Sequence, residues 1–186
     1  MHSSTTRILF IDIQEEYAPG VGDLSIEAGR WKNAISGIMG LNRFAQASGI
    51  GRSIVIHKGF GNHFQGKNYF LADSLGGELD RWQEFAKTTP SAYQNANLVR
   101  SLGDNGVRTV VLAGFQSHYC IASTAFDLVQ NGFKVIVLED CCASPPVDGV
   151  GGEEMHRAAM KALGQFGTCE ISTLVDWTDA AQNKTC

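Results

Sequence analysis

A cysteine between an apolar strand and an apolar helix is the residue of this chain best suited to chemistry. Residues 109–113 form a mainly apolar run, a glycine-containing turn follows at 114–119, and Cys120 begins an apolar run that continues to residue 129. In open α/β sheets, ligands bind at the carboxyl ends of the strands. A helix N-terminus favours both a thiolate and an oxyanion formed beside it. Cys120 is therefore a candidate nucleophile, although a buried structural cysteine would show the same pattern.

Two charged residues could act together with this thiol. Asp12 closes the apolar strand predicted at residues 7–12, where a buried carboxylate is costly unless it has a partner. Lys87 closes a short segment at residues 83–87, which is a candidate third strand. Taken singly, Asp12 could cap the next segment and Lys87 could be a solvated loop lysine. Together with Cys120 they supply a base, a cation and a nucleophile, the minimum for thiol-based acyl transfer.

The sequence around these positions resembles that of a known family. The similarity rests on residues 11–14, 87–93, 114–120 and 135–140, together with Thr124, Ala125 and Asp127. These motifs are similar to those of the isochorismatase-like cysteine hydrolases, which include nicotinamidases and other small-amide hydrolases. The resemblance extends over residues 7–175, which is nearly the whole chain. It implies that Asp12, Lys87 and Cys120 form a catalytic triad.

The order of the predicted elements agrees with that resemblance. Strand-like runs alternate with helical ones, which is typical of a parallel sheet covered by helices on both faces. The predicted strands are residues 7–12, 53–57, 109–113, 134–138 and 170–175, and residues 83–87 are a candidate third strand that periodicity alone does not show. The predicted helices are one that ends at Gly49, one around 98–102 with a capping box at Ser91 and Gln94, and those at 120–129 and 153–165. The chain of 186 residues is expected to form a single domain.

The resemblance implies a three-layer α/β/α, Rossmann-like fold with a six-stranded parallel sheet of order 3-2-1-4-5-6. Strands one and four are then neighbours at the switch point of the sheet, where ligands bind. The implied mechanism begins when Asp12 takes the proton of Cys120 and Lys87 stabilises the thiolate. Attack on an amide-like carbonyl gives an acyl thioester, which water then hydrolyses. The implied oxyanion hole is the backbone N–H of Gln116 and of Cys120, with a cis peptide bond just before Gln116.

The segment from residue 58 to residue 82 is rich in glycine, asparagine and aromatic residues. A connection this long is usually functional, so we predict that it covers the pocket, although a surface insertion would look the same. The predicted substrate-contacting residues are Phe64, Tyr69, Trp82, Phe115, His118 and Tyr119. Aromatic side chains also fill cores, and His118 could instead cap a helix, so these structural roles stay open as alternatives.

His57 and His63 are a second pair that could bind a ligand. Some family members, nicotinamidases among them, carry a metal on the pattern Asp-x-His-x5-His. The two histidines have that spacing here, but Val55 occupies the position of the aspartate. Because two histidines alone rarely make a metal site, we predict no metal and no other cofactor. The same departure disfavours nicotinamidase activity as such.

Composition excludes several classes of partner. The net charge of −4 and the pI of about 5.7 give no basic surface for nucleic acid. No apolar run is long enough to span a membrane, and the polar N-terminus lacks a signal core, so a cytoplasmic location is expected. Five cysteines without framework spacing argue against a disulfide scaffold. The expected partners are a small amide-like substrate and further copies of the chain in a homodimer or homotetramer, as in related proteins.

The leading hypothesis is therefore a cysteine hydrolase that cleaves a small, non-peptide amide-type C–N bond. A vinyl ether hydrolase acting on isochorismate is disfavoured, because family members with that activity do not need the cysteine. A binding or redox-sensing protein that keeps the fold without turnover is a third possibility. It is disfavoured because Asp12, Lys87 and Cys120 are all present.

Overall fold

One parallel sheet organises the computed structural model, which describes residues 3–59, 61–64 and 83–183. Its six strands lie in the order β3-β2-β1-β4-β5-β6, and all neighbouring strands are parallel. The strands are β1 Thr6–Ile11, β2 Gly51–His57, β3 Gln83–Lys87, β4 Thr109–Phe115, β5 Lys134–Ala143 and β6 Glu170–Ser172. The predicted fold class and strand order are confirmed.

Helices cover both faces of the sheet. They are α1 Ala28–Ser48, α2 Ala96–Asp104, α3 Ala122–Gln130, α4 Gly152–Gly164 and α5 Leu174–Asn183. Alternate residues of β1 face opposite layers, since Ile8 and Phe10 pack into the core that includes Trp31 of α1 and Trp177 of α5. The next residue, Leu9, packs into the core of α2, α3 and α4. Within the described ranges, no helix has both the length and the apolar character that a membrane span requires.

The start of α2 differs from the predicted capping box. Asn95 caps this helix, because its side-chain oxygen accepts hydrogen bonds from the backbone N–H groups of Asn97 and Leu98 at 2.9 and 3.0 Å. Ser91 and Gln94 lie before the helix, around a short 3-10 segment at Ala92–Gln94. The predicted box was therefore placed one turn too early.

The predicted strand at residues 170–175 is also wrong beyond Ser172. The carboxylate of Asp140 in β5 accepts the backbone N–H of Leu174 at 2.8 Å, and so fixes the start of α5. Thr173 supports the same start, since its hydroxyl accepts the N–H of Asp176 at 3.1 Å. The partner of Leu174 lies 34 residues away, so local periodicity does not reveal it, although the Thr173–Asp176 spacing is a helix-start signal.

The close approach of β1 and β4 depends on a glycine. Gly114 has a φ of +126°, and a Cβ at this position would lie 2.0 Å from the carbonyl oxygen of Ile11, its register partner. The pairing of β4 with β5 is irregular between Leu112 and Gly114. No other residue type provides this conformation without a clash, so the glycine lets β4 reach the site beside the end of β1.

We predict that Gly114→Ala lowers the free energy of unfolding by at least about 2 kcal/mol, because the new methyl group meets backbone and the φ angle is unfavourable. The matched control is Gly103→Ala in α2, where an added Cβ meets no atom within 4 Å. That variant should be neutral or stabilising by up to about 1 kcal/mol. Urea unfolding of both variants measures the difference. Equal unfolding midpoints would show that the close approach of β1 and β4 does not require a glycine at position 114.

Candidate active site

A buried ion pair joins the ends of two strands. Asp12 directly follows β1 and Lys87 is the last residue of β3. The Nζ atom of Lys87 lies 2.7 Å from Oδ2 of Asp12, and both side chains are at most 1% exposed. The backbone N–H of Asp12 donates to the carbonyl oxygen of Val55 at 2.8 Å, and its φ is 51°. Aspartate tolerates this left-handed conformation better than most residues, so the chain can turn here while the carboxylate stays buried.

Cys120 meets the same lysine. Its sulfur lies 3.3 Å from Nζ of Lys87, which also donates to the carbonyl oxygen of Thr89 at 3.2 Å. The cysteine is 1% exposed and lies in a π-helical turn, Ser117–Ile121, which we call the nucleophile turn. The peptide bond between Phe115 and Gln116 is cis, as the resemblance implies.

The nucleophile turn places the thiol at a different point of the helical segment from the one that the sequence predicts. The predicted helix start at Cys120 is wrong, because α3 begins only at Ala122. The backbone N–H of Ile121 donates to the carbonyl oxygen of Gln116 at 3.0 Å, which is the i to i+5 spacing of a π-helix. Cys120 therefore lies inside a π-helical turn that precedes the α-helix, and not at the first residue of that helix.

Burial sets the protonation of Asp12 and Cys120. It raises the pKa of Asp12, and the nearby Lys87 ammonium opposes that shift. Burial, followed by the charge of Asp12, raises the pKa of the Cys120 thiol, again against the influence of Lys87. Burial thus outweighs the preference of a helix end for a thiolate, and the raised pKa keeps Cys120 a thiol at rest, close to the carboxylate of Asp12. This carboxylate is placed to take the proton as the sulfur attacks.

A cavity of about 320 Å³ opens beside the thiol. It is lined by Tyr17, Leu24, His57, His63, Phe64, Gln116, His118, Tyr119, Cys120 and Val147. Three predicted substrate-contacting residues, Phe64, His118 and Tyr119, thus lie around it. The lining is mainly aromatic and apolar, which suits a small organic ligand.

Of the other three predicted contacts, the structure describes only Phe115. The structure places Phe115 in the core rather than at the cavity, because β4 directs this ring towards α1. Phe115 is fully buried and stacks on Trp31 with ring centroids 5.0 Å apart. Tyr69 and Trp82 lie outside the described residues, as does most of the segment at 58–82.

Tyr17 was missed by the sequence reasoning. Its ring is 1% exposed and contacts the ring of Phe64 edge-on, with centroids 5.6 Å apart. Burial, together with the neighbouring carboxylate of Asp12, raises the pKa of its hydroxyl well above the ordinary value. The hydroxyl therefore stays protonated, and the nearby Gln116 side chain opposes part of the shift in its pKa. Its position soon after the Asp12 motif was the only sequence signal.

Gln14, just after β1, hydrogen-bonds to the backbone of His57 at the edge of the cavity. Its side-chain Nε2 donates to the carbonyl oxygen of His57 at 3.1 Å, and its Oε1 accepts the backbone N–H of His57 at 2.7 Å. The His57 ring stacks on Phe64 at 4.9 Å between centroids. Burial and the charge of Lys87 lower the pKa of His57 to about 4, so this ring is neutral at neutral pH.

The residues that could hold a cation differ from the family pattern. Val55 is fully buried in β2, so the Asp-x-His-x5-His ligand set does not fit. Among the described residues, Glu16, Asp23 and His63 each place a ligand atom within 4.8 Å of the others. Oε1 of Glu16 already accepts the N–H of Asp23 at 3.1 Å and lies 3.0 Å from Nδ1 of His63. This group therefore has a role without a cation, because it holds His63 against the segment after β1.

The comparisons with known proteins agree with this fold. The isochorismatase domain family matches residues 6–173. The chain belongs to the isochorismatase family. Its members include an uncharacterized isochorismatase family protein of Bacillus subtilis, YddQ, to which it is 30% identical over 180 residues, covering 90% of this chain and 97% of that protein. Membership of this family supports a hydrolase.

Two further comparisons concern an enzyme and a fold. A maleamate amidohydrolase of Pseudomonas putida is 41% identical over 56 residues, which cover 30% of this chain and 26% of that protein. The crystal structure of an isochorismatase from Pseudomonas putida KT2440 has a TM-score of 0.82 and is 24% identical, covering 95% of this chain and 91% of that chain. The structural similarity shows the shared fold.

We predict that dialysis against a metal chelator leaves hydrolysis unchanged. Val55 removes the family's carboxylate ligand, and Glu16 is already satisfied by hydrogen-bond donors. Ammonia release from a panel of small amides, measured before and after dialysis, is the assay. Loss of activity that zinc or manganese restores would contradict the prediction. Under that outcome, the metal content of the protein, measured by mass spectrometry, should fall together with the activity.

Proposed function

We propose that this chain is a cysteine hydrolase that cleaves a small, non-peptide amide-type C–N bond through a thioester of Cys120. The observation that carries the proposal is the position of Lys87, whose Nζ contacts Oδ2 of Asp12 at 2.7 Å and Sγ of Cys120 at 3.3 Å. The cavity of about 320 Å³ beside the thiol has room for a small acyl group. A base, a cation, a nucleophile and a binding cavity thus meet at one place.

The first half of the reaction follows from the protonation of the resting site. As Sγ of Cys120 attacks the carbonyl carbon, its proton moves to Asp12 and the carbonyl electron pair moves to the oxygen. The backbone N–H groups of Gln116 and Cys120 stabilise that oxyanion, and both residues line the cavity. Lys87 stays positive and balances the charge of the buried carboxylate and the developing thiolate. The C–N bond breaks when Asp12 gives its proton to the leaving amine.

The second half regenerates the thiol. Water attacks the thioester carbonyl while Asp12 takes one of its protons, and the C–S bond then breaks. The acid leaves, and the proton returns from Asp12 to Cys120. The same carboxylate thus serves both halves of the cycle, which its contact with Lys87 allows because the ammonium favours the ionised form.

The cavity supports an uncharged or weakly polar substrate. Phe64 and Tyr17 provide aromatic walls, and His57 is neutral because burial lowers its pKa to about 4. Burial also lowers the pKa of His118, which leaves it available as a neutral hydrogen-bonding group. The maleamate amidohydrolase relative supports amide chemistry, and a small amide is the substrate class that we propose.

We predict that Cys120→Ala abolishes ammonia release from every member of a small-amide panel. The substitution removes the nucleophile but little volume, so the free energy of unfolding should change by only about 1 kcal/mol. The matched control is Cys169→Ala, which removes another buried free thiol that does not line the cavity. Retained turnover in purified Cys120→Ala would remove the thiol from the mechanism.

We predict that Asp12→Asn and Lys87→Ala each lower the rate at least about a hundredfold, the usual contribution of a positioned acid or base. Because burial raises the pKa of Asp12, activity is present above that raised pKa and is lost as the pH falls through it. Alkylation of Cys120 by iodoacetamide should follow the same acid limb. A near-normal rate in either variant would exclude that residue from the triad.

The alkylation experiment also separates this proposal from a binding protein without turnover. In Asp12→Asn the acid limb of the alkylation profile should disappear together with most of the rate, because the base that accepts the thiol proton is gone. Slow, uniform labelling of Cys120 and Cys169 in the parent chain would instead favour the non-catalytic alternative.

A further inference from the structure

Two hydrogen bonds between an imidazole and a hydroxyl hold consecutive residues of the nucleophile turn. The hydroxyl of Ser117 lies 2.7 Å from Nδ1 of His156, and Nδ1 of His118 lies 2.9 Å from the hydroxyl of Ser144. Ser117 is fully buried, and Ser144 is 2% exposed. A buried hydroxyl needs a partner, so these contacts restrict where the turn can lie.

The partners of the turn belong to one closely packed support. His156 lies on α4 and is 6% exposed. At the start of the same helix, a Cβ on Gly152 would lie 2.3 Å from the carbonyl oxygen of Ser144. Helix α4 is therefore packed directly against the segment that carries Ser144. Burial lowers the pKa of His156 to about 4, so its ring is neutral and can hydrogen-bond without a buried charge.

We infer that His156 is a positioning residue for the oxyanion hole, acting through the hydroxyl of Ser117. Ser117 directly follows Gln116 and precedes Cys120 by three residues, so its location sets both proposed N–H donors. His156 is not among the residues that line the cavity. The inference rests on the proposed function, because it assigns His156 a role in carbonyl chemistry at the same site.

The inference separates two properties of the site. Asp12 and Lys87 come from the ends of β1 and β3, and neither depends on α4 for the contact between them. Loss of the His156 contact should therefore leave the contact of Asp12 with Lys87 in place, and should impair the oxyanion donors more than it impairs thiol activation. A purely structural role for His156 would instead weaken thiol alkylation, carbonyl chemistry and stability together.

Benzaldehyde is a probe of the oxyanion hole that needs no turnover. The sulfur of Cys120 adds to the aldehyde carbon, the carbonyl electron pair moves to the oxygen, and the thiol proton passes through Asp12 to that oxygen. The product is a reversible hemithioacetal that occupies the oxyanion hole. Its affinity is measured by protection of Cys120 from iodoacetamide. Alkylation itself displaces iodide and forms no oxyanion, so its rate reports thiol activation alone.

Three variants test the contact. His156→Leu removes the hydrogen bond, His156→Asn keeps a polar atom at the position of Nδ1, and Ser117→Ala removes the partner. The matched control is Met160→Leu, a buried apolar change on the same helix. In His156→Leu we expect kcat for the best amide to fall about tenfold to a hundredfold. The Kd for benzaldehyde should rise by a similar factor, with KM and the alkylation rate changed less than about threefold.

Further outcomes decide the inference. His156→Asn should recover most of the loss in kcat and in benzaldehyde affinity. Ser117→Ala combined with His156→Leu should be no worse than either single change, because the two substitutions remove the same contact. Unchanged kcat and benzaldehyde affinity in His156→Leu would overturn it, as would a parallel loss of alkylation or a similar loss in Met160→Leu. If His156→Leu does not fold, Ser117→Ala takes its place: the inference predicts that kcat and benzaldehyde affinity fall in Ser117→Ala and are mostly kept in His156→Asn.

The experiment also distinguishes this inference from the proposed function. If the parent chain releases no ammonia from any amide, yet binds benzaldehyde at Cys120 more tightly than His156→Leu does, the positioning role stands and amide hydrolysis falls. If the parent chain hydrolyses amides and His156→Leu equals it, hydrolysis stands and the positioning role falls. A parent chain that neither hydrolyses amides nor binds the aldehyde overturns both.

Discussion

The contact of one buried ammonium with a carboxylate and a thiol is the constraint on which the rest of the site depends. Lys87 lies 2.7 Å from Asp12 and 3.3 Å from Cys120, in a place where an unpaired charge would cost several kcal/mol. The pair is tolerable only if both partners are held together. The strands follow one another across the sheet in the order β3, β2, β1, β4. Because they are parallel, the carboxyl ends of β3, β1 and β4 lie at the same edge. The parallel sheet thus holds the partners of the buried charge together, which keeps the energetic cost of burying it low.

The same burial explains why Cys120, the proposed nucleophile, rests as a thiol. Removal of water raises the pKa of Cys120 and of Asp12 together, so neither group can be activated independently of the other. Proton transfer between them keeps the total charge of the buried site constant, and Lys87 remains its counter-ion throughout. A cysteine that relied on a helix end alone would be more exposed and permanently ionised. In the proposed mechanism, the proton leaves only as the sulfur attacks a carbonyl group.

The walls of the site are assembled by hydrogen bonds from several segments. Gln14 ties the end of β1 to the end of β2 through two bonds to His57. Glu16 accepts the backbone N–H of Phe64 at 3.2 Å and so places an aromatic wall over the cavity. On the opposite side, His156 and Ser144 hold the nucleophile turn. The chemistry therefore sits between a sheet edge that carries the charges and loops that are fixed by buried polar contacts.

The sequence by itself determined which residues could meet and near which strand ends they lie. Asp12 closes an apolar run and Cys120 follows one, whereas apolar periodicity alone does not show the strand that ends at Lys87. Alternating strands and helices fix the edge at which such strand ends converge. Only the tertiary structure decided that Phe115 joins the core and that Tyr17 lines the cavity. The thiol pKa likewise depends on burial by separate segments. Each of these outcomes depends on contacts between segments far apart in the chain, and local apolar periodicity carries no information about such contacts.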